Sequence, residues 1–529
     1  MPITPTYPGI YIEELPSSAH TIAAAPTSIA VFVGYTHPFK TLPGNFGGAL
    51  EIFSFTDYER EFGGFFTNAI YGGESNEYGS MAHAVNQFFL NGGADAWIVA
   101  LQSTVGGVVL IPPTLETGGA AGVTFTAREP TDATSEMTVT IANVSADLAD
   151  ITITYGTRGE SYRKVSLTKL DAQGQANPNF IELRIGTAAQ PVSGLVTVSP
   201  ATPPNYPPAF TAGTGTFAHA PADGSAVFNV ADFTAVFQDD SALDKLSIFN
   251  LLVLPGVTNN GILSEALAFC ERKQAFLIMD TPHVDVADPP TNWVGDFLGN
   301  PVGDTAGNIA PTSPNGACYF PYIISTDPLT GATIELPPSG TVAGIYARTD
   351  TNRGVWKAPA GLETTVLNTT GVVETGRMTD LRQGVLNLKG IDCLRTFPGV
   401  GTVVFGARTL VSSNTAFQQW KYVSVRRMAL FLEQTLYRNL GWVVFEPNDD
   451  PLWVAIRTSI ENFMLSLFNQ HAFQGTKPSQ AFQVKCDATT TTQQDIDNGI
   501  VNIIVAFAPL KPAEFVIIKI AQLAGQTQS

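Results

Sequence analysis

Gln418–Leu467 constrains the fold more than any other stretch, because it combines packing and punctuation in one run. Trp420, Tyr422, Val425, Met428, Leu432, Leu436 and Leu440 recur mostly at three- and four-residue steps, which predicts one apolar stripe on a helix. Gly441 follows as a C-terminal stop. Trp442–Phe445 is fully apolar, long enough for a buried strand and too short for a helix. Asp450 and Pro451 then open a second helix, Asp450 as the cap and Pro451 in the first turn. Leu452, Ile456, Phe463 and Leu467 would line its inner face. The stretch reads as a packing unit, and nothing in it is arranged for chemistry. It also carries Arg426, Arg427, Arg438 and Arg457 on a chain of formal net charge −18.

A chain of 529 residues is too long for one core, so two to four domains are expected. Hydrophobic content is 44% against 14% charged, which indicates a folded protein with few surface charges. Either neighbouring subunits cover much of that surface, or the chain is a secreted or β-rich protein with Thr, Ser and Gly outside. The acidic balance argues against direct nucleic-acid binding, which needs a basic face to displace counterions. Cys270, Cys318, Cys393 and Cys486 are far apart and form no CxxC pair, so buried reduced thiols and cytoplasmic folding are expected. Met1–Pro5 begins no basic and apolar leader, so no signal peptide is expected. No apolar run approaches 18 residues, so neither a transmembrane helix nor membrane insertion is expected.

In chain order, Tyr7–Pro16 alternates like a strand between prolines and needs a sheet to join. Thr27–Tyr35 and Ala96–Leu101 predict buried strands, with a long loop to about Gly79 and a helix over Met81–Leu90 between them. From about Gln102 to Phe228 the chain has no Trp and is rich in Gly, Thr, Ala and Pro. Met137–Ile141 and Ile151–Tyr155 alternate strictly, and Phe180–Ile185 and Leu195–Val198 read as further strands, so this part is an all-β, sandwich-like insertion. Leu246–Leu254, Asn260–Lys273 and Ala275–Met279 then form a βαβ unit on a parallel sheet. Trp293–Phe297 and Cys318–Ile324 are weaker elements, and Ser339 caps a short helix to about Tyr346. Ile391–Phe397, Val403–Gly406, Phe482–Cys486, Ile500–Phe507 and Glu514–Ile520 predict further strands. The last is an edge hazard for a monomer unless something occupies it.

The fold class is therefore α/β (α+β): a core built from N- and C-terminal parts, an inserted all-β domain, and extended terminal arms. The expected divisions are an N-terminal strand arm at 1–20, core at 21–101 and the β insertion at 102–230. An α/β middle domain at 231–380, core again at 381–508 and a C-terminal strand arm at 509–529 complete the chain.

Candidate chemistry is sparse. Asp280, His283 and Asp285 follow a predicted strand, where α/β enzymes place their sites. They support an alternative reading, an α/β hydrolase-type enzyme with a β-sandwich binding module, against the simpler one of a polar turn. Asp449 and Asp450 could act as a carboxylate pair, but helix capping explains Asp450. Ala212–Gly215 lacks the Gly-Lys-Ser/Thr ending of a phosphate loop and reads as a turn. A secreted, adhesin-like protein is disfavoured by the missing leader. No catalytic, cofactor or metal-binding residue is assigned.

Several blocks resemble the contractile tail sheath family of phages, R-type bacteriocins and extracellular contractile injection particles. They are Tyr7–Glu14, Gly344–Asp350 before Arg353–Pro359, Gly390-Ile391, Tyr422–Arg427, Phe445–Asn448 ahead of Leu452-Trp453, and Lys511–Phe515. Their order covers 1–101 and 231–529 and leaves the β insertion outside. The resemblance implies a non-enzymatic subunit of a sheath that polymerises as stacked hexameric rings around an inner tube. Contraction would drive that tube through a target envelope. It implies self-association, an inner tube protein, baseplate and terminal cap proteins as partners, with sheath paralogues as a further class. It also implies assembly in the bacterial cytoplasm into a phage tail or tail-like particle. The intersubunit arms would be Ile10, Tyr11, Ile12 and Glu13 at one end and Phe515, Val516, Ile517 and Ile518 at the other. Arg426, Arg427 and Arg457 are the candidates for inner-tube contact.

Overall fold

The computed structural model describes residues 20–66, 80–105, 108–117, 122–131, 135–171, 173–201, 203, 205–220, 229–283, 311–373 and 379–519. Contacts divide the chain into two units. The larger holds 27–352 and 358–423, and the smaller holds 1–26, 353–357 and 424–529.

The larger unit is built on an eight-stranded sheet. Its elements are β1 (Ala30–Tyr35), β2 (Leu50–Ile52), α1 (Met81–Leu90), β3 (Ala96–Leu101), β4 (Leu251–Val253), α2 (Asn260–Lys273), β5 (Phe276–Asp280), β6 (Gly316–Phe320), α3 (Ser339–Arg353), α4 (Asp380–Lys389), β7 (Ile391–Phe397) and β8 (Gly401–Val404). The strand order is β2-β3-β1-β4-β5-β6-β7-β8. The strands from β3 to β7 pair in parallel, and antiparallel β2 and β8 close the two edges. A parallel sheet must be covered on both faces, which explains why its strands are apolar throughout.

One face carries Val31, Val33, Leu252, Leu277 and Met279 against Ile262, Leu263, Ala266, Leu267 and Cys270 of α2. Asn259 caps α2, accepting from the amides of Gly261 and Ile262. The opposite face meets α1 and α3, as alternation along each strand requires. Phe32 stacks edge-on with Phe88, and Tyr319 is hydrogen-bonded to Tyr346 at 2.5 Å. A Cβ at Gly340 would lie 2.4 Å from the carbonyl oxygen of Ala84, and one at Gly344 2.5 Å from that of Phe88. These two glycines let α3 lie directly on the backbone of α1.

The insertion forms two antiparallel sheets around one core. Arg158–Ser166, Leu148–Tyr155, Met137–Ser145 and Gly213–Thr216 make the four-stranded sheet; Val196–Pro200, Val123–Ala127 and Thr114–Thr117 make the three-stranded one. Phe125, Val139, Ile151, Ile153 and Val196 face inward, while threonines alternate outward, with Thr138 and Thr154 hydrogen-bonded at 2.6 Å. Phe180–Ile185 is not a strand: Ile181–Arg184 is a short helix whose Ile181 and Ile185 plug this core.

A buried carboxylate ties the insertion to the sheet's first loop. His37 Nδ1 accepts from the amides of Phe39 (3.1 Å) and Lys40 (3.2 Å), so Nε2 donates to Glu129 Oε2 at 3.0 Å. Lys40 Nζ reaches Glu129 Oε1 at 2.5 Å and Arg158 Nη2 reaches it at 3.3 Å. Burial opposes the charge on Glu129, but the His37 hydrogen bond and Lys40 together hold its carboxyl down at about 2. Burial pushes the His37 imidazole down to about 4, against the pull of Glu129.

In the smaller unit, α5 (Val423–Asn439) and α6 (Asp450–Asn469) pack with the hairpin β9 (Phe482–Lys485) and β10 (Ile504–Phe507). α5 begins in the last residue of the larger unit. Trp420 lies before it in the 3-10 turn Thr415–Trp420, so the helix starts later than the apolar stripe suggests. Met428, Leu432, Leu452, Ile456, Phe463 and Leu467 meet in one core, and the last four are the predicted inner face of α6. Two expectations fail here. Gly441–Val443 is a 3-10 turn rather than the start of a strand, and Phe445 is fully exposed. Asp449, not Asp450, caps α6 by accepting from the amide of Leu452. Trp442 stacks on His20, from the far end of the chain, with centroids 3.8 Å apart.

The Glu129 anchor carries a prediction. Its folded pKa lies below the unfolded value of 4.5, so its stabilisation is present above pH 4.5 and is lost as pH falls toward 2. Glu129→Gln leaves Lys40 and Arg158 without an anion and should cost about 3–5 kcal/mol at neutral pH by urea denaturation. The variant should also lose stability less steeply below pH 4.5. Unchanged urea and acid midpoints would contradict the anchor.

Candidate assembly surface

The smaller unit brings together the roots of both chain ends. Asn439 on α5 accepts from the amide of Ala23 at 2.9 Å and donates to its carbonyl at 2.8 Å, while Thr435 accepts from Ala25. At the other end, Gln474 donates to Ala508 and Ala508 to Ala481, holding the chain as it leaves β10. Residues 511–519 then run without regular structure. Phe515, Val516, Ile517 and Ile518 are 71%, 81%, 81% and 79% exposed, and these four residues form no strand among the described residues, although a strand is expected over Glu514–Ile520. Its composition suits a strand, but a strand needs a neighbour to receive its amides. Among the described residues β9 and β10 pair only with each other, so each keeps one open edge. Beside them runs a groove lined by Glu461, Leu465, Gln480, Phe482, Val484 and Phe507. Ile10, Tyr11, Ile12 and Glu13 lie outside the described residues.

The arginines separate by burial. Arg426 is partly buried and pairs with Glu433 at 3.3 Å. Arg427 is 3% exposed, because α5 is buried on more than one side at that point, and it presents no guanidinium at the surface. Arg457 is half-buried, with Nη1 donating to the carbonyl of Cys486 at 3.4 Å. The apolar spacing located the helix, but it could not show which arginines are covered.

The loop after β5 is used structurally. Asp280 is fully buried and accepts from the amide of Ser339 (2.8 Å), the hydroxyl of Ser339 (2.6 Å) and the amide of Gly256 (2.9 Å). The carboxylate therefore caps α3, and Ser339 is the first residue it holds rather than the cap itself. His283 pairs with Glu335 at 2.5 Å, and Asp285 lies outside the described residues. No group of three His, Cys, Asp or Glu side chains among the described residues could hold a metal. Asp449 and Asp450 begin α6, and Gly213–Thr216 is a strand of the insertion rather than a turn. All four cysteines are free and buried, and burial raises their thiol pKa values. No described helix is long and apolar enough to cross a membrane.

Solved structures share this fold. The sheath complex of PVC, an extracellular contractile injection system, in its contracted state matches with a TM-score of 0.58 at 22% identity, over 98% of each chain. The contracted helical sheath of the anti-feeding prophage, AFP, matches with a TM-score of 0.55 at 24% identity, over 98% of this chain and 100% of that one. The fold is thus that of a contractile sheath subunit. The description "Phage tail sheath protein central domain" fits residues 238–410, and "Phage tail sheath C-terminal domain" fits 415–522. The chain belongs to the phage tail sheath family. The tail sheath protein of Vibrio phage KVP40 is 27% identical over 183 residues, 34% of this chain and 25% of that protein. That of Salmonella phage ViI is 27% identical over 177 residues, 34% and 26% respectively. The matched stretch spans about a quarter of these relatives' length.

Burial pushes the carboxyl of Asp280 up to about 6, partly offset by its hydrogen bonds to Ser339 and Gly256. Its folded pKa exceeds the unfolded value of 3.8, so its contribution to stability is full below 3.8 and is lost as pH rises through 6. Asp280→Asn should remove this downward slope from the melting temperature measured against pH. Identical slopes in variant and wild type would contradict a carboxyl held above its usual range by burial.

Proposed function

We propose that this chain is the structural subunit of a contractile sheath. It polymerises as stacked hexameric rings around an inner tube, and contraction of the lattice drives the tube through a target envelope. The observation that carries the reading is the apolar run Phe515–Ile518 standing in solvent beyond a hairpin with open edges. A strand added from another copy would satisfy both. Residues 10–13 would form the second arm, leaving from the segment that Thr435 and Asn439 fasten to α5. Arms rooted in one packed unit let neighbouring copies stay linked while the bodies between them rotate.

The 102–230 insertion would face outward and the remaining divisions would form the body and inner layer. Arg426 and Arg457 are the better candidates for tube contact, since Arg427 would have to leave its buried site first. The further partners are baseplate and terminal cap proteins, and sheath paralogues where the particle has them. Assembly would take place in the bacterial cytoplasm, into a phage tail or tail-like particle. The structures similar to this chain include two contracted sheaths and baseplates of such particles, which supports the reading. The hydrolase alternative loses its main support because Asp280 is engaged in helix capping.

Deleting residues 510–529, or 1–15, should leave a folded monomer by circular dichroism and sedimentation that forms no tube-length polymer. Long ordered cylinders from either truncation would overturn the arm assignment.

A further inference from the structure

Two surface patches on this chain are opposite in charge and alike in being apolar. The first is α4, capped by Thr379 and ended by Gly390. Leu381, Val385 and Leu388 are 87%, 49% and 70% exposed, and their i, i+4, i+7 spacing puts them on one helix face, while Leu386 takes the burial on the other. Arg382 and Lys389 flank that stripe on one side. Asp380, on its other side, is held by Arg395 Nη1 at 2.8 Å.

The second patch is the turn between α5 and α6. Val444 is 63% exposed and Phe445 102%, and Tyr437 in the last turn of α5 is 81% exposed. Phe445 sits at φ +71, a region that favours glycine. An aromatic ring held there in water gains nothing within the subunit, and strain of this kind concentrates at functional sites. Exposed Glu446, Asp449 and Asp450 make the turn acidic.

We propose that Phe445 of one copy seats on the Leu381–Val385–Leu388 stripe of a second copy, with Glu446 and Asp450 against Arg382 and Lys389. The occupant is a second copy because the charges complement each other and the stripe supplies the apolar seat the ring lacks. Two different patches of one chain that fit each other make a heterologous contact, which propagates as an open helix when it does not close into a ring. The proposal rests on the assembly reading and adds a contact separate from the terminal arms.

The test uses the full chain and reads the concentration needed for polymer, by light scattering and electron microscopy. Phe445→Gly relieves the backbone and should keep or raise the melting temperature of the monomer. It should raise the critical concentration for polymer about tenfold or more, as expected for loss of an aromatic anchor. Glu446→Lys and Arg382→Glu should each raise it, and the two combined in one chain should bring it back toward wild type. Phe445→Gly polymerising at the wild-type concentration overturns the proposal. So do charge variants whose effects merely add. A wild-type chain that never polymerises overturns the assembly reading beneath it.

Discussion

The cost of keeping Phe515–Ile518 in water is the constraint on which the reading of this molecule depends. Burying side chains of this size stabilises by about 1.5–3 kcal/mol each, so the run forgoes roughly 6–12 kcal/mol while it stays solvated. Residues 515–518 also join no sheet among the described residues. A subunit can hold such a segment outside its core only if the rest of the unit is stable without it. The smaller unit meets that condition with Ile456, Ile460, Phe463, Met464 and Leu467 of α6 against Met428, Phe431 and Leu432 of α5.

The larger unit solves a different problem. Its parallel strands cannot face water on either side, and α2 covers one face while α1 and α3 cover the other. The fit on the second face relies on Gly340 and Gly344, which bring two helix backbones together, and on Asp280, which ends one strand and starts α3. The insertion is not loosely tethered to this body. Glu129 joins it to His37 and Lys40, with the carboxylate and imidazole fully buried and Lys40 partly so. A buried pair of this kind has directional specificity that an apolar contact would lack.

Much of this was legible in the sequence because burial and period coincide. Met81–Leu90, Ala96–Leu101 and Asn260–Lys273 have the expected bounds: the first stops at Asn91, the second is an unbroken apolar run, and the third starts at the Asn259 cap with its apolar positions on a helical period. Trp442–Phe445 misleads because an apolar run means burial only when something covers it, and Phe445 is displayed instead. Phe180–Ile185 misleads for a related reason: a single helical turn can bury the same residues as a short strand. Arg158–Ser166 is not legible because its charged side chains mask the alternation of a strand at the sheet edge, and Phe55–Phe62 lies inside a Gly-, Phe- and Asn-rich stretch that reads as loop. Glu129 is not legible, since His37 and Lys40 stand 92 and 89 positions away and no local pattern marks a buried carboxylate. Glu514–Ile520 reads as an apolar strand with an open edge, whereas residues 515–518 are exposed and carry no strand structure, since a strand forms only where a neighbour receives its amides.

Electron cryo-microscopy of the full-length protein after polymerisation tests the central claim most directly. The account predicts hollow, striated cylinders in which density for residues 515–518 forms a strand beside the β9–β10 hairpin of a neighbouring subunit. A chain that remains monomeric at every concentration, or cylinders in which residues 515–518 stay solvated, would contradict it.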